Sequence, residues 1–444
     1  MSAPARIPAS LSRELGLFGA VMMGLGSIVG TGVFVSIGLA AGVAGPGVIV
    51  AIAVAALLAA CNALSSAQLA ALHPVSGGTY EYGYLRLAPM AGFAAGWMFL
   101  CAKTASAATA ALGFSGYLLH IADLEPQRWL TPLAIGAVVA LTAIVASGIR
   151  RAGWANALIV SITLVALIVF VVAGLPRAVA STGDADGLTP FFAPAAGEGE
   201  GGGGMRGMLE AMALMFVAYT GYGRIATLGE EVRNPRRTIP RAIVITLAVS
   251  ALLYIAVSFV AVASIGAAAL SEATMSRAAP LEVAARSFDV PVVAWLVAAG
   301  AVTAMLGVLL NLILGLSRVL LAMGRRGDMP RFIARVDEAR GTPVAAVIVI
   351  GGLIALLAAM GSVKAAWSFS AFTVLVYYAI TNAAALRLKA DERLYHPAFA
   401  WCGLAGCLGL AFWVEMRYWL AGLTLLAVGL VWHAIARRTL RASM

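Results

Sequence analysis

Long apolar runs alternate with short polar connections along the whole chain. Twelve of these runs, at 15–43, 46–72, 90–120, 131–149, 155–176, 207–229, 241–266, 291–323, 343–361, 366–388, 398–414 and 417–436, predict helices. About 20 apolar residues, rising 1.5 Å each, cross the hydrocarbon core of a bilayer. The pattern therefore predicts an all-α integral membrane protein with twelve spans. The longest runs exceed the core thickness and must tilt, break or protrude.

The first run is interrupted from within. Gly24, Gly26, Gly30 and Gly32 crowd into the stretch from Met23 to Phe34. Each glycine costs a helix interior on the order of 1 kcal/mol relative to alanine. Four so close predict a broken helix, and broken backbone inside a bilayer lines a cavity or is covered by protein. Small residues a turn apart, such as Gly26 and Gly30, also allow close helix packing, and that reading stays open for the pair. Five spans later, Phe216-Val-Ala-Tyr-Thr-Gly-Tyr-Gly223 punctuates the sixth run at mid-depth. The two runs cross in opposite directions. Corresponding breaks in two oppositely directed halves point to an inverted-repeat transporter. The expected organisation is a single transmembrane transporter domain, with repeat one at about 15–176, repeat two at about 207–388 and two extra helices at about 398–436.

Composition agrees with burial in lipid. Of 444 residues, 62% are hydrophobic and 11% charged, and the mean hydropathy is +0.95. The net charge of +10 raises the question of nucleic acid. Its distribution answers it: Arg6, Arg13, Arg150, Arg151, Arg236, Arg237, Arg325 and Arg326 fall on one side of the predicted spans, and few basic residues fall on the other. This is the positive-inside bias of a membrane protein. It predicts a multi-pass protein of the plasma (inner) membrane with both termini cytoplasmic, the lipid bilayer as a partner and no nucleic acid. The start has no short apolar region ending at a small-residue cleavage site, so no cleavable signal peptide is expected. Cys61, Cys101, Cys402 and Cys407 sit in apolar runs and read as small core residues. No metal site is expected. The connection at 73–89 is rich in glycine and tyrosine, and the one at 182–204 reads as an acidic, glycine-rich spacer on the outer side.

A broken helix offers unpaired amides on one half and unpaired carbonyls on the other. Amides near Ser27 to Gly32, at the positive end of the outer half of span 1, suit a carboxylate. Glycines let a ligand approach the backbone closely. Carbonyls around Met22 to Ser27, and around Phe216 to Thr220 in span 6, suit an ammonium group. One site with both ends describes an α-amino acid.

At these residues the chain resembles the amino acid–polyamine–organocation (APC) transporter superfamily. GSIVGTGVF resembles its first-helix motif. The stretches 73–97, 218–243 and 317–332 are similar to its signatures between the second and third helices, after the sixth helix and at the end of the eighth. Four motifs in order cover the chain from the first helix through the eighth. The resemblance implies a LeuT-like fold of five plus five inverted helices with helices 1 and 6 broken. It also implies secondary active transport by alternating access, and no enzymatic chemistry. By the same resemblance the substrate carboxylate meets Ser27, Ile28, Gly30 and Thr31, with Gly26 and Gly32 beside them. The amino group meets carbonyls near Met23, Gly24, Phe216, Ala218 and Tyr219, next to Gly221, with Tyr219 as lid or pocket wall. Packing alone is the competing role for Tyr219.

The energy source is less determined. Some superfamily members carry a lysine in the fifth helix where a relative's sodium ion would sit; alignment puts Thr163 there, which cannot titrate usefully. Sodium is poorly supported, because span 8 offers Thr303 and Asn311 but no serine–threonine pair. Three cations lie inside spans: Lys103, Arg224 and Arg318. Lys103, about 18 Å into span 3 at 1.5 Å per residue, has three roles open to it: a titratable group replacing the missing lysine, a contact to an acidic substrate side chain, or a donor to backbone carbonyls. Arg224 keeps its proton and either binds backbone carbonyls, pairs structurally or forms an inner gate with Glu230 or Glu231. The expected function is a permease of α-amino acids, leaning to neutral ones, by proton-coupled symport or exchange. The alternatives are an antiporter or facilitator without ion coupling, and a carrier of acidic amino acids. No cofactor is expected beyond transported protons. A membrane enzyme would need a mid-depth cluster of histidine or carboxylate groups, whereas His73, His120, His396 and His433 sit near span ends. The oligomeric state is not readable.

Overall fold

The computed structural model describes residues 15–74, 77–122, 124–148, 153–183, 188, 191–192, 204–227, 232–337 and 340–442. The described residues form helices joined by short turns, with only two isolated bridges, Leu15 to Val232 and Asp337 to Thr342, of extended pairing. In chain order the helices are α1 (Leu17–Ile28), α2 (Ile37–Ala44), α3 (Val48–Leu72), α4 (Thr79–Arg86), α5 (Pro89–Ile121), α6 (Pro126–Ala146), α7 (Gly153–Gly183) and α8 (Met205–Tyr219). There follow α9 (Gly223–Thr227), α10 (Pro235–Arg277), α11 (Pro280–Arg286), α12 (Pro291–Arg325), α13 (Val344–Ala359), α14 (Val363–Leu386), α15 (Pro397–Ala411) and α16 (Met416–Ala442).

Local sequence sets the boundaries. Proline occupies the first helical positions of α5, α6, α10, α11, α12 and α15. There its missing N–H has no intrahelical partner to lose and its fixed φ suits a helix start. The seventh apolar run was expected to end at 266. Instead α10 kinks at Gly266, at φ 79°, and continues to Arg277. The connection at 73–89 is not all loop, because Thr79–Arg86 forms α4.

Seven helical stretches among the described residues are long and apolar enough to cross a membrane, and α13 and α15 are shorter apolar helices. α5 is buried along most of its length and packs against α12 and α14. α3 packs against α8, α10 and α15. Around this centre, α6, α13 and α16 turn large apolar side chains outward, among them Val139, Ile348, Leu356, Val428 and Val431. Outward apolar faces fit a surface in contact with lipid.

Each end of the bundle is fastened by a buried polar cluster. At the α4 end, the carboxylate of Asp328 accepts from the hydroxyls of Tyr80 at 2.7 Å and Tyr84 at 2.6 Å, and His433 Nδ1 lies 3.0 Å from its other oxygen. Trp432 Nε1 donates to the Asp328 carbonyl. At the α11 end, the Tyr117 hydroxyl donates to the Phe34 carbonyl at 2.7 Å and accepts from the Leu281 amide. Beside it Glu282 pairs with His120 and with Arg286.

Candidate functional site

Both expected interruptions are present, and they lie against each other. α1 ends at Ile28, and the chain resumes helical geometry at Thr31 with a π-helical turn over Gly32–Ser36 before α2. α8 ends at Tyr219 and passes through a 3-10 turn at Thr220–Tyr222 into α9. At Gly221 a Cβ would fall on the Ser27 carbonyl and 2.6 Å from the Ile28 amide nitrogen. At Gly32 it would fall 2.6 Å from the Ala218 Cβ. The two broken helices thus touch backbone to backbone, and glycine is required because no side chain fits between them.

The remaining glycines of the first break serve neighbouring helices. A Cβ at Gly24 would meet Ile225 and Thr246, one at Gly26 would meet Val160 and Asn156, and one at Gly30 would meet Val308. Close packing and a break are therefore both true of this stretch.

Polar groups at the breaks are mostly partnered. Ser27 Oγ donates to the Met23 carbonyl at 2.9 Å. Asn156 Nδ2 donates to the Met22 carbonyl at 3.2 Å. The Tyr254 hydroxyl donates to the Ile28 carbonyl at 2.7 Å and lies 3.4 Å from the Ala218 carbonyl, so it bridges the two broken helices. Tyr378 donates to the Thr220 carbonyl at 3.1 Å. Tyr219 packs its ring 5.1 Å from Tyr254, donates to the Ile52 carbonyl and is fully buried. Phe216 meets Tyr378 edge-on at 5.7 Å. The buried Thr31 hydroxyl has no hydrogen-bond partner among the described residues. The first amides of the helix resuming at Thr31 have no intrahelical acceptor by geometry.

A cavity of about 110 Å³ adjoins the breaks on the α4 side. Ser27, Thr220, Gly221, Arg224, Lys103 and Asn311 line it with the apolar side chains of Phe99, Val308, Leu312, Leu316 and Val319. It is smaller than most ligand sites, which run about 300–1,000 Å³. Lys103 is buried, and its Nζ donates to Thr220 Oγ1 at 2.7 Å. Thr220 Oγ1 in turn donates to the Val217 carbonyl at 2.7 Å. Arg318 also faces the cavity, and no carboxylate lines it among the described residues. A wider cleft of about 480 Å³ at the α11 end includes Glu282, Arg286 and Asp289 and shares no residue with the breaks. The smaller cavity is the better candidate, because it joins both broken helices.

Of the residues singled out from sequence, the cavity gathers Ser27, Thr220, Gly221, Lys103, Arg224, Asn311 and Arg318. Met23, Gly24, Gly26, Ile28, Gly30, Thr31, Gly32, Phe216, Ala218 and Tyr219 lie along the two breaks but not on its lining. Thr163 is buried on α7, donates to the Ile159 carbonyl and lies beside Gly300 of α12. The α7 side chains that meet α1 are Asn156 and Val160. Glu230 and Glu231 lie outside the described residues. Sequence reasoning missed Tyr254, Tyr378 and Val308, which carry no motif that would mark them.

The amino acid permease profile matches residues 19–439. An uncharacterized transporter of Mycobacterium tuberculosis is 43% identical over 435 residues, covering 98% of this chain and 93% of the relative. The branched-chain amino acid permease BcaP of Bacillus subtilis is 28% identical over 427 residues, 90% of this chain and 86% of the relative. Human cationic amino acid transporter 4 is 30% identical over 402 residues, 86% of this chain and 60% of the relative.

Proposed function

The chain belongs to the amino acid permease family, within the APC superfamily, and from that premise we propose that it carries neutral α-amino acids across the plasma membrane by alternating access. The observation that carries the reading is the crossing of the two breaks, with Gly221 against the Ser27 carbonyl beside a small, mainly apolar cavity. In this reading α1 to α7 and α8 to α14 are two inverted repeats of a LeuT-like fold, and α15 and α16 are the extra helices. Both termini are cytoplasmic, and the α4 end faces the cytoplasm.

The substrate carboxylate binds the amides of Gly30, Thr31 and Gly32 and the Thr31 hydroxyl, where a helix start favours negative charge, whereas the amides of Ser27, Ile28 and Val29 are already committed within α1. The ammonium group binds carbonyls of Gly24, Phe216, Ala218 and Tyr219, each of which has two lone pairs and so can keep a present donor, whereas the Met23 carbonyl already accepts from Ser27 Oγ as well as within α1. Lys103 disfavours cationic side chains by like-charge repulsion in a low-dielectric site. The three cations on the lining support a second reading, an acidic side chain.

Uptake into proteoliposomes decides between them. Saturable transport of leucine or alanine, with weak inhibition by arginine, is the expected result. Preferential transport of glutamate selects the second reading. Transport of arginine as the preferred substrate refutes the role given to Lys103, and absence of saturable uptake of every amino acid refutes both readings.

A further inference from the structure

We propose that Lys103 binds the proton whose movement drives transport, so that a third-helix lysine performs the coupling step. The inference deepens the amino acid transport reading and rests on it. Lys103 sits on α5, a long helix buried along most of its length, and reaches across the cavity to Thr220, the first residue of the second break. The ammonium thus joins a buried helix to the segment that must rearrange when the site changes sides. Its contact is a single neutral hydroxyl whose own proton is committed to the Val217 carbonyl. That geometry makes Thr220 Oγ1 an acceptor toward Lys103.

No carboxylate among the described residues lies within ion-pair distance of Lys103. A buried ammonium is held comfortably when a counter-charge and further acceptors surround it. Here the proton itself is the part that can be exchanged. The charged groups facing the same cavity are Arg224 from α9 and Arg318 from α12. Both keep their protons at any physiological pH. α14 contributes the buried phenols Tyr377 and Tyr378 beside the second break. From α4, Tyr80 and Tyr84 are committed to Asp328, as is His433 from α16. Among the described residues, Lys103 is accordingly the group on the cavity that can cycle between charged and neutral.

In the step itself one Nζ–H bond breaks, its electron pair stays on nitrogen, and the proton passes to water entering from the α4 side. The neutral amine grips Thr220 less strongly than the ammonium, because charge-assisted hydrogen bonds are roughly twice as strong as neutral ones. Release of the proton therefore loosens the second break from α5. Thr163, buried on α7 and bonded to its own helix, takes no part.

The test uses purified full-length protein in proteoliposomes loaded with one amino acid that the wild type exchanges. One pH unit across the membrane is about 1.4 kcal/mol per proton, which at one-to-one coupling gives about tenfold accumulation. Wild type is expected to approach that ratio with the outside acidic. Lys103→Met and Lys103→Arg are expected to accumulate nothing above equilibration. The quantity read is the ratio with and without the gradient, so a lower absolute rate does not affect it. A gradient response in either variant equal to that of the wild type overturns the proposal. So does a wild type that exchanges amino acid with no response to the gradient, in which case the transport reading stands alone. A wild type that moves no amino acid fails the transport reading first, and this one with it. Where a variant does not transport, its substrate affinity at pH 6 and pH 8 is compared by thermal shift. A flat ratio against a sloped wild type is expected, and a slope matching the wild type overturns the proposal.

Discussion

Replacing Gly221 by alanine tests whether the crossing of the two breaks is the binding site. The added Cβ would sit on the Ser27 carbonyl and 2.6 Å from the Ile28 nitrogen. Ordinary contact begins at about 3.4 Å, so the shortfall at Ile28 is 3.4 − 2.6 = 0.8 Å, and it is larger at Ser27. Both obstructing groups are backbone. No side-chain rotation relieves them, so the two broken helices must move apart. Forcing a methyl group into a packed interior costs roughly 1–3 kcal/mol. If the ligand is held by backbone groups of both breaks, that separation appears in affinity as roughly 5- to 150-fold weaker binding, at 1.4 kcal/mol per tenfold. Isothermal titration with an amino acid that binds the wild type reads the effect, together with a thermal melt to show that the variant is folded. Gly352→Ala on α13, where a Cβ meets nothing within 4 Å, is the control and should leave affinity unchanged. Affinity of Gly221→Ala within twofold of wild type would show that the breaks do not hold the ligand.

Three further outcomes are expected. Tyr117→Phe removes a donor from the Phe34 carbonyl and strands the Leu281 amide, and should cost about 1–3 kcal/mol; an unchanged melting temperature counts against the α11-end fastening. Asp328→Ala removes the acceptor of two tyrosine hydroxyls and the partner of His433, and should destabilise by about 3 kcal/mol, seen as a lower unfolding midpoint, whereas Asp337→Ala at a half-exposed turn should not. Acid should weaken the contact of α4 with the segment after α14. Burial and then Arg86 hold the His73 imidazole below its ordinary value of 6.5, and the Arg86 hydrogen bond holds the Glu392 carboxylate below its ordinary 4.5. The stability from His73 is present above pH 6.5 and lost as pH falls below it, and that from Glu392 is lost at still lower pH. His73→Gln should flatten the fall in melting temperature just below pH 6.5; an unaltered slope would remove His73 from that account.

Much of the fold was legible because lipid imposes a simple rule on sequence. Each of the twelve apolar runs corresponds to a helix or to a pair of helices flanking a break. Boundaries drifted where the rule is silent. α10 runs eleven residues beyond 266 through a glycine kink, because a helix leaving the apolar layer keeps its hydrogen bonds without keeping its hydropathy. α4 escaped notice because its tyrosines and glycines have a weak helical pattern, and its stability comes from Asp328 and Arg86 contacts made hundreds of residues away. The glycine clusters pointed correctly to two interruptions, since clustered glycine is costly in a helix wherever it stands. Tyr254 gave no such signal. It is one phenol in an apolar run, and it gains its place only because α10 passes both breaks.

The chain's own residues thus determine where the apolar helices form and where two of them fail, since backbone propensity and hydropathy act over a few residues at a time. They also determine that a lone lysine lies within a long apolar helix. Which groups meet is a different matter. Lys103 touches Thr220, Gly221 faces Ser27, and Asn156 rather than Thr163 faces α1. Those pairings depend on the rotation of each helix about its axis and on the angle at which it crosses its neighbours. Both are fixed by packing among side chains far apart in sequence, and neither is written in any single span.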